Sequence, residues 1–551
     1  MSHSLRARPP PPPPPPPSHA PDVERERLAD EHFAGPPLVV DRGILRRVVE
    51  EDMKSKVDRC EFLGSGTFHK CFLVTFKERA PVVARIAQSY FPALKTASEV
   101  ATLHFLRAHT SLPVPVIHVY DTTTDNPLRA EYTLESLAPG VQLSSLNPDE
   151  MPQETKVQLM CALAKLVVPL GKWRAAAIGS LYFEEEQVEG VLFEIPALDR
   201  PRSDVDDTSE LLPTDEPRKY KIGPIVSWPF FGNGRGFRAL DRGPWTSERA
   251  YLDSCVKREV EDIRRETEPA AGVVREISSS SASASSNSPE HEDDDSLPDD
   301  VDSDNDLESD DDEGGYGSDY SPHELMYKAY RQQQGAGSFG GGSLLIHPFR
   351  RNSAGGPAPL LLFSPISPGS PPPASAPPAI SFAALPPVKT RLQLCEGEMG
   401  EFMNQMEAFG IGTGDGKGFT FDLHDLRAEN VFVDPQNPGR VTCIIDFEST
   451  TFRPISQASH LPALLLPPPR GLPSFTPPDS QTHMIGAPQT VSPFAVPSLQ
   501  DAYRAAAAEV DEGWVERERD GKKKRIAHRA VEWDGWEPGV VDHALGAMRA
   551  L

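Results

Sequence analysis

The chain has 551 residues, yet 58 Pro and 40 Gly, many in single-letter runs, exclude a fold that packs its whole length. Its formal net charge is -26, but sixteen Asp and Glu with no Lys or Arg lie between Glu290 and Asp319, which leaves -10 for the rest. Such an acidic chain repels phosphate backbones and gives no footing to nucleic-acid binding as its main activity.

In chain order, residues 1–38 read as a disordered tail, because the unbroken run Pro9 to Pro17 forms a polyproline rod that no core absorbs. Short apolar strands, Gly-containing turns and then helical periodicity follow, the last including Leu159, Leu163, Leu166 and Val167. These assign 39–137 and 138–275 to one folded block. Residues 276–387 turn Ser-rich, then acidic, then Gly- and Pro-rich, with too few apolar side chains to offset the entropy of ordering, and read as a disordered insertion. Order resumes over 388–466, where Leu392, Met399, Phe402 and Met406 share a helical face. Residues 467–498 read as a Pro-rich linker, and 499–551 as further helices, beginning with the Ala-rich Tyr503 to Val510.

Six cysteines stand without C-x-x-C or metal-ligand spacing, which fits a reducing compartment. The start lacks an apolar signal core, and no apolar run reaches the roughly 18 residues of a membrane span. A cytoplasmic chain without a membrane association is the expectation. The basic run Lys522 to Arg525 reads as an exposed charged stretch within a helix, or as a nuclear import signal.

Candidate chemistry begins at Gly64-Ser65-Gly66, between strand-like Phe62-Leu63 and Cys71-Phe72-Leu73-Val74. Glycines there let backbone approach phosphate, and they equally make an ordinary hairpin turn. In Val82-Val83-Ala84-Arg85-Ile86-Ala87, alternation puts Arg85 on one face with Val83 and Ala87. A cation there suits nucleotide phosphates or a solvent-facing edge. Glu99, on the helix that Thr96 opens, either pairs with Arg85 or closes a capping box with Thr96.

The richest segment is Leu423-His424-Asp425-Leu426-Arg427-Ala428-Glu429-Asn430-Val431-Phe432-Val433-Asp434, followed by Val441-Thr442-Cys443-Ile444-Ile445-Asp446-Phe447-Glu448. Two apolar strands flanking the turn 434–439 form a hairpin in which the start of the first strand opposes the end of the second, bringing Asn430 beside Asp446. Two oxygen ligands of that kind suit magnesium beneath a nucleotide. Asp425, five residues before Asn430, is placed to take the proton of an attacking hydroxyl. A polar hairpin with capping Asp and Asn is the plainer alternative.

The spacing from Asp425 to Asn430, then Ile445-Asp446-Phe447-Glu448, resembles the catalytic loop and metal motif of aminoglycoside phosphotransferase and choline kinase-like proteins of fungal type. Leu106 to Pro115 resembles the family's helix-to-strand passage. Glu131 to Leu137 resembles the strand and hinge whose backbone holds adenine, which makes Glu135 and Leu137 cofactor-binding candidates beside Gly64, Ser65, Gly66, Arg85 and Glu99. Ile178 to Tyr182 and Ile222-Gly223-Pro224 resemble further landmarks. The resemblance implies an α+β, two-lobed, protein-kinase-like fold using ATP and Mg, with the metal on Asn430 and Asp446, Asp425 as the catalytic residue, and a small-molecule hydroxyl as acceptor. One departure is Leu423, where relatives commonly carry His. It motivates an alternative: a catalytically degenerate scaffold whose acidic insertion, with the phosphorylatable Ser278 to Ser288 beside it, recruits a basic protein partner.

Overall fold

The computed structural model describes residues 22–31, 38–66, 68–88, 93–193, 218–232, 235–267, 388–413, 418–466, 492–532, 536 and 538–551. The expected insertion 276–387, the proline run and Trp533 lie outside the described residues.

The first lobe comprises α1 (Asp22–Glu31), α2 (Arg42–Asp52), β1 (Val57–Ser65), β2 (His69–Phe76), β3 (Val82–Ala87), α3 (Leu94–His109), β4 (Ile117–Asp121) and β5 (Tyr132–Ser136). Its strands form an antiparallel sheet of order β1-β2-β3-β5-β4. Alternation sends Phe72, Val74, Val82, Ala84, Ile86 and Leu134 to one face, where they pack with Leu45, Val48 and Val49 of α2. Val83, Arg85 and Ala87 therefore face the other way, as the sequence pattern requires. The Asp41 side chain caps α2 by accepting from Ile44 N at 2.9 Å.

One boundary is corrected. Residues 22–31, expected within a disordered tail, form α1, which docks on the sheet through charge rather than an apolar stripe. Asp22 accepts from Phe62 N at 2.9 Å and pairs with Arg42. The buried Lys70 ammonium lies 3.2 Å from Glu26 and 2.8 Å from Asp30.

The second lobe follows with β6 (Val141–Gln142), α4 (Gln153–Val167), β7 (Ser180–Phe183), β8 (Val191–Phe193), β9 (Tyr220–Gly223), α5 (Trp228–Phe231) and α6 (Glu248–Thr267). After the undescribed 268–387 come α7 (Val388–Ala408), β10 (Phe419–Asp422), β11 (Val431–Asp434), β12 (Asn437–Ile444), β13 (Thr451–Pro454), α8 (Ile455–Ala458), α9 (Pro497–Val510), α10 (Trp514–Val531) and α11 (Val540–Ala550). Helices α6 and α7 pack together, with Arg264 3.3 Å from Glu396, so the two described ends of the intervening sequence belong to neighbouring helices. Leu159, Leu163, Met399, Phe402 and Met406 are buried in the helical cores, as their periodicity demands. The result is the α+β, two-lobed, kinase-like architecture.

Three local expectations change. The β11–β12 turn is only Pro435-Gln436, because β12 already starts at Asn437. The linker gives way to folded chain by 492: Ser492 Oγ donates to Leu464 O at 2.6 Å, and Phe494 is buried. Of the run Lys522 to Arg525, which lies in α10, only Lys522 is exposed. Lys524 reaches Glu248 at 3.2 Å, and Arg525 donates to Ser456 O and Ser459 O. Two of the four cations are thus committed to the fold.

Candidate active site

Hairpin β11–β12 pairs Val431 with Ile444, which sets Asn430 against Asp446 at its open end. Asn430 Nδ2 donates to Asp425 O at 3.0 Å and approaches Asp446 Oδ2 at 3.4 Å. Ile445 N donates to Asn430 O at 2.9 Å. Three candidate residues thus share one corner. Asp446 has φ +71°, a left-handed conformation that costs a non-glycine residue and marks a position fixed by its surroundings. Burial, and then the neighbouring Glu448, push its carboxyl up to about 8. Asp425 is 40% exposed in its side chain, with Oδ1 2.5 Å from Arg427 Nε.

Across the cleft, Arg85 Nη1 donates to Glu99 Oε1 at 2.5 Å and to Glu135 Oε1 at 3.0 Å. Its Nη2 donates to Glu448 Oε2 at 3.2 Å. Helix α3 starts at Leu94, so Thr96 lies within its first turn and no capping box forms; Glu99 is the partner of Arg85. Glu135 contributes a buried carboxylate to this network and also accepts from Thr133 Oγ1 at 2.7 Å. Leu137 is exposed just beyond β5.

Gly64 and Ser65 end β1, and Gly66 N donates to His69 O at 2.9 Å, closing the β1–β2 turn. A Cβ on Gly64 or Gly66 would meet nothing within 4 Å, so packing does not require glycine at either position. Gln88 ties the turn down by donating to Gly66 O at 2.9 Å.

Sequence reasoning missed His69 and Lys95 and gave Glu448 no role. Glu448 lay in plain sight two residues after Asp446, whereas the other two meet only through the fold. The His69 ring sits between Glu448 (Nδ1 to Oε2, 2.8 Å) and Lys95 (Nε2 to Nζ, 2.6 Å). Arg85 Nη2 also lies 3.0 Å from Nδ1, and both of these nitrogens reach Glu448 Oε2; because an ammonium can only donate, Nε2 accepts and Nδ1 carries the proton, which goes to the nearer Glu448 carboxylate. Burial, then Arg85 and Lys95, hold the ring well below its ordinary value and therefore neutral. His69, Glu99 and Glu448 place ligand-type atoms within 4.8 Å of one another, but Arg85 and Lys95 already supply cations to those atoms, so this trio is no metal centre.

Behind the loop 423–430, Leu423 packs against the helical core. A brace for the loop comes from Asp422 and His460. Asp422 Oδ1 lies 2.8 Å from His460 Nε2, and His460 Nδ1 lies 2.8 Å from Leu461 O. Both ring nitrogens face acceptors, so the ring is doubly protonated; the bond to Asp422 raises it despite burial. The segment after β5 and the β11–β12 hairpin are stitched together as well. Strand β6 pairs with β11, Gln142 Nε2 donates to Glu429 O at 2.6 Å, and Thr442 Oγ1 donates to Pro139 O at 2.6 Å. Between them Gly140, at φ +96°, comes so close to Val433 O that a Cβ would lie 2.3 Å from it.

No family model matches the chain. A subtelomeric hrmA-associated cluster protein of Aspergillus fumigatus is 34% identical over 184 residues, covering 33% of this chain and 32% of the relative. Altered inheritance of mitochondria protein 9, mitochondrial, of Yarrowia lipolytica is 24% identical over 215 residues, covering 37% and 36% respectively. The chain thus spans about a third of the length of these curated relatives, and their names state no reaction. Among solved structures, the streptomycin and ATP ternary complex of the aminoglycoside phosphotransferase APH(2'')-IIa overlaps 94% of this chain and 98% of its own, at 8% identity and a TM-score of 0.38. ADP-bound APH(2'')-Ib overlaps 92% and 97%, at 8% identity and a TM-score of 0.37. Overlaps that loose add nothing to the architecture and site geometry described above.

Proposed function

We propose that the chain is an ATP- and Mg-dependent phosphotransferase of the aminoglycoside phosphotransferase and choline kinase type, acting on a hydroxyl of a small molecule. The observation that carries this reading is the corner formed by Asp425, Asn430 and Asp446 opposite the Arg85–Glu99 pair. The residues fit magnesium. Asn430 turns its Nδ2 to Asp425 O and towards Asp446 Oδ2, so its amide oxygen is the atom it would offer a metal, together with the Asp446 carboxylate, and this pair of hard donors sits where buried acid outweighs nearby cations. Asn430 and Asp446 would hold the ion, which would offset the charge of the phosphates.

The chain's own residues do the rest. Asp425, steadied at Oδ1 by Arg427, offers its other oxygen to the acceptor hydroxyl and takes its proton. Gly64, Ser65 and Gly66 lay a side-chain-poor turn over the phosphates, held by Gln88. Arg85 locks α3 to the sheet through Glu99. Backbone near Glu135 and Leu137 receives the base. Residues 447–450 alone separate Asp446 from β13, whose side chains are buried, so among the described residues that follow Asp446 there is no segment of the kind on which protein kinases dock peptides. This favours a small acceptor.

Thermal shift of the wild type and D446A with ATP, each with and without Mg, tests the reading. A wild-type shift that requires both Mg and Asp446 supports it; at 100 times Kd the stabilisation is about 2.7 kcal/mol. Absence of any wild-type shift favours the second reading, a degenerate kinase-fold scaffold, to which Leu423 and the fully engaged Arg85 point. Its basic protein partner would be recruited by the acidic insertion, and pull-downs with and without 277–387 would reveal it. No helix among the described residues is long and apolar enough to cross a membrane. The mitochondrial name of the yeast relatives sets a mitochondrial location against the cytoplasmic expectation, and fractionation of tagged chain decides between them.

A further inference from the structure

Lys95 is an unusual buried cation. Its side chain is 1% exposed, so water does not satisfy it. Among the described residues its Nζ has one hydrogen-bond partner, the neutral His69 ring at 2.6 Å, and one carboxylate within ion-pair range, Glu448 at 3.9 Å. An ammonium carries three N–H donors, and burying it with one neutral acceptor is costly unless an anion completes its surroundings. Arg85 is the opposite case, with Glu99, Glu135 and Glu448 already around its guanidinium.

The position of Lys95 indicates which anion. His69 immediately follows the glycine turn and accepts from Gly66 N. Glu448 is two residues past Asp446. The Lys95 ammonium thus contacts one residue next to the turn and one two residues from the metal corner, the two elements that flank the terminal phosphates in the reading above. We propose that Lys95, rather than Arg85, is the cation that contacts the β- and γ-phosphates of the nucleotide, and that His69 is a positioning residue that aims it. The proton on His69 Nδ1 goes to Glu448, which leaves Nε2 as a lone-pair acceptor that fixes Nζ without neutralising its charge. A carboxylate in the place of His69 would cancel the charge a phosphate needs.

This inference rests on the nucleotide-binding reading and is tested separately from it. Dissociation constants for ATP, ADP and AMP are measured with Mg on the full chain, for wild type, D446A, K95M, H69F and H69Q. The expected result for K95M is a loss of roughly tenfold or more in ATP and ADP affinity, the scale of a charge-assisted hydrogen bond, with AMP unchanged. H69F shows the same selective loss. H69Q restores much of it, because its amide oxygen can accept from Lys95. K95M that binds ATP as tightly as wild type, or loses ATP and AMP equally, overturns the phosphate contact. H69F that matches wild type overturns the positioning role. Should K95M not fold, the ATP-to-AMP ratio of H69F still decides. A wild type without nucleotide affinity sinks the function reading and this one with it, whereas binding that depends on Asp446 but ignores Lys95 sinks this one alone.

Discussion

Two buried ionic clusters, built from the same residue types, shift their acids differently. At the cleft, Arg85 and Lys95 face Glu99, Glu135, Glu448 and Asp446, so acid outnumbers cation; Asp446 rises to about 8, burial also raises Glu135 and Glu448, and only Glu99 is lowered, against burial, by Arg85. Beneath the helices of the second lobe, Arg453, Lys524 and His528 face Glu248 and Glu532. His528 lies 2.9 Å from Glu248 and 3.3 Å from Glu532, and Arg453 lies 2.6 Å from Glu532. Burial alone would raise Glu248, but His528 and then Lys524 draw it down to about 2, and Arg453 and His528 lower Glu532 likewise. The second cluster is satisfied within the chain, as a structural network is. The first is short of positive charge, as a site awaiting a cation is.

The comparison can be broken by experiment. The largest effect is expected at Asp425: D425A lowers turnover by about 10²–10⁴-fold with ATP affinity retained, measured by steady-state kinetics once an acceptor is found. Next, R453M strands Glu532 and the Tyr251 hydroxyl that donates to it, and costs about 3–5 kcal/mol in denaturant melts with little change in nucleotide binding. If R453M instead abolished nucleotide binding at unchanged stability, the division of labour between the clusters would be wrong.

The pH dependence separates them again. Glu248 and Glu532, lowered from 4.5, add stability that is present above about pH 4.5 and lost as pH falls through their folded values. Against burial, its bonds to Glu248 and Glu532 raise His528 above 6.5, so its contribution is present below 6.5 and lost as pH rises through the folded value. Asp446, raised from 3.8 to about 8, and Glu131, raised by burial from 4.5 to about 7, withdraw stability as pH climbs across those intervals. Melting temperature without ligand should therefore peak near pH 5 and decline towards pH 8. Mg with ATP should stabilise more at pH 8 than at pH 5.5, since the Asp446 proton must leave first. The smallest effect is expected at α1, where D22A removes a carboxylate shared by Phe62 N and Arg42 and costs about 1–2 kcal/mol by thermal melt.

How legible each part was follows from how local its logic is. Asp425, Asn430 and Asp446 lie within one hairpin, and antiparallel register alone brings them together. Arg85 and Glu99 required a choice between two local motifs, which the helix start at Leu94 resolves. Lys95 and His69 left no trace in the sequence, because they sit on separate elements, α3 and β2, whose side chains meet only in the fold. The cluster of Glu248, Arg453, His528 and Glu532 joins segments far apart in the chain, beyond the reach of any window. Helix α1 escaped because it carries no apolar stripe; ion pairs hold it, and periodicity is blind to them.

The Gly140 stitch has a mechanical consequence. With Val141 and Gln142 hydrogen-bonded into the strand of the catalytic hairpin, and Pro139 O held by Thr442, everything from 139 onward moves with the second lobe, while Ser136 still belongs to the first sheet. The first lobe also meets the second through α3, whose Phe105 and Leu106 lie in the helical core, and through Pro113 O, which accepts from Ile444 N at 2.8 Å, so 137–138 is a two-residue joint beside the seat proposed for the base and not a lone axle. A nucleotide bound there would press directly on that joint, so filling the cleft and stiffening the joint become one event.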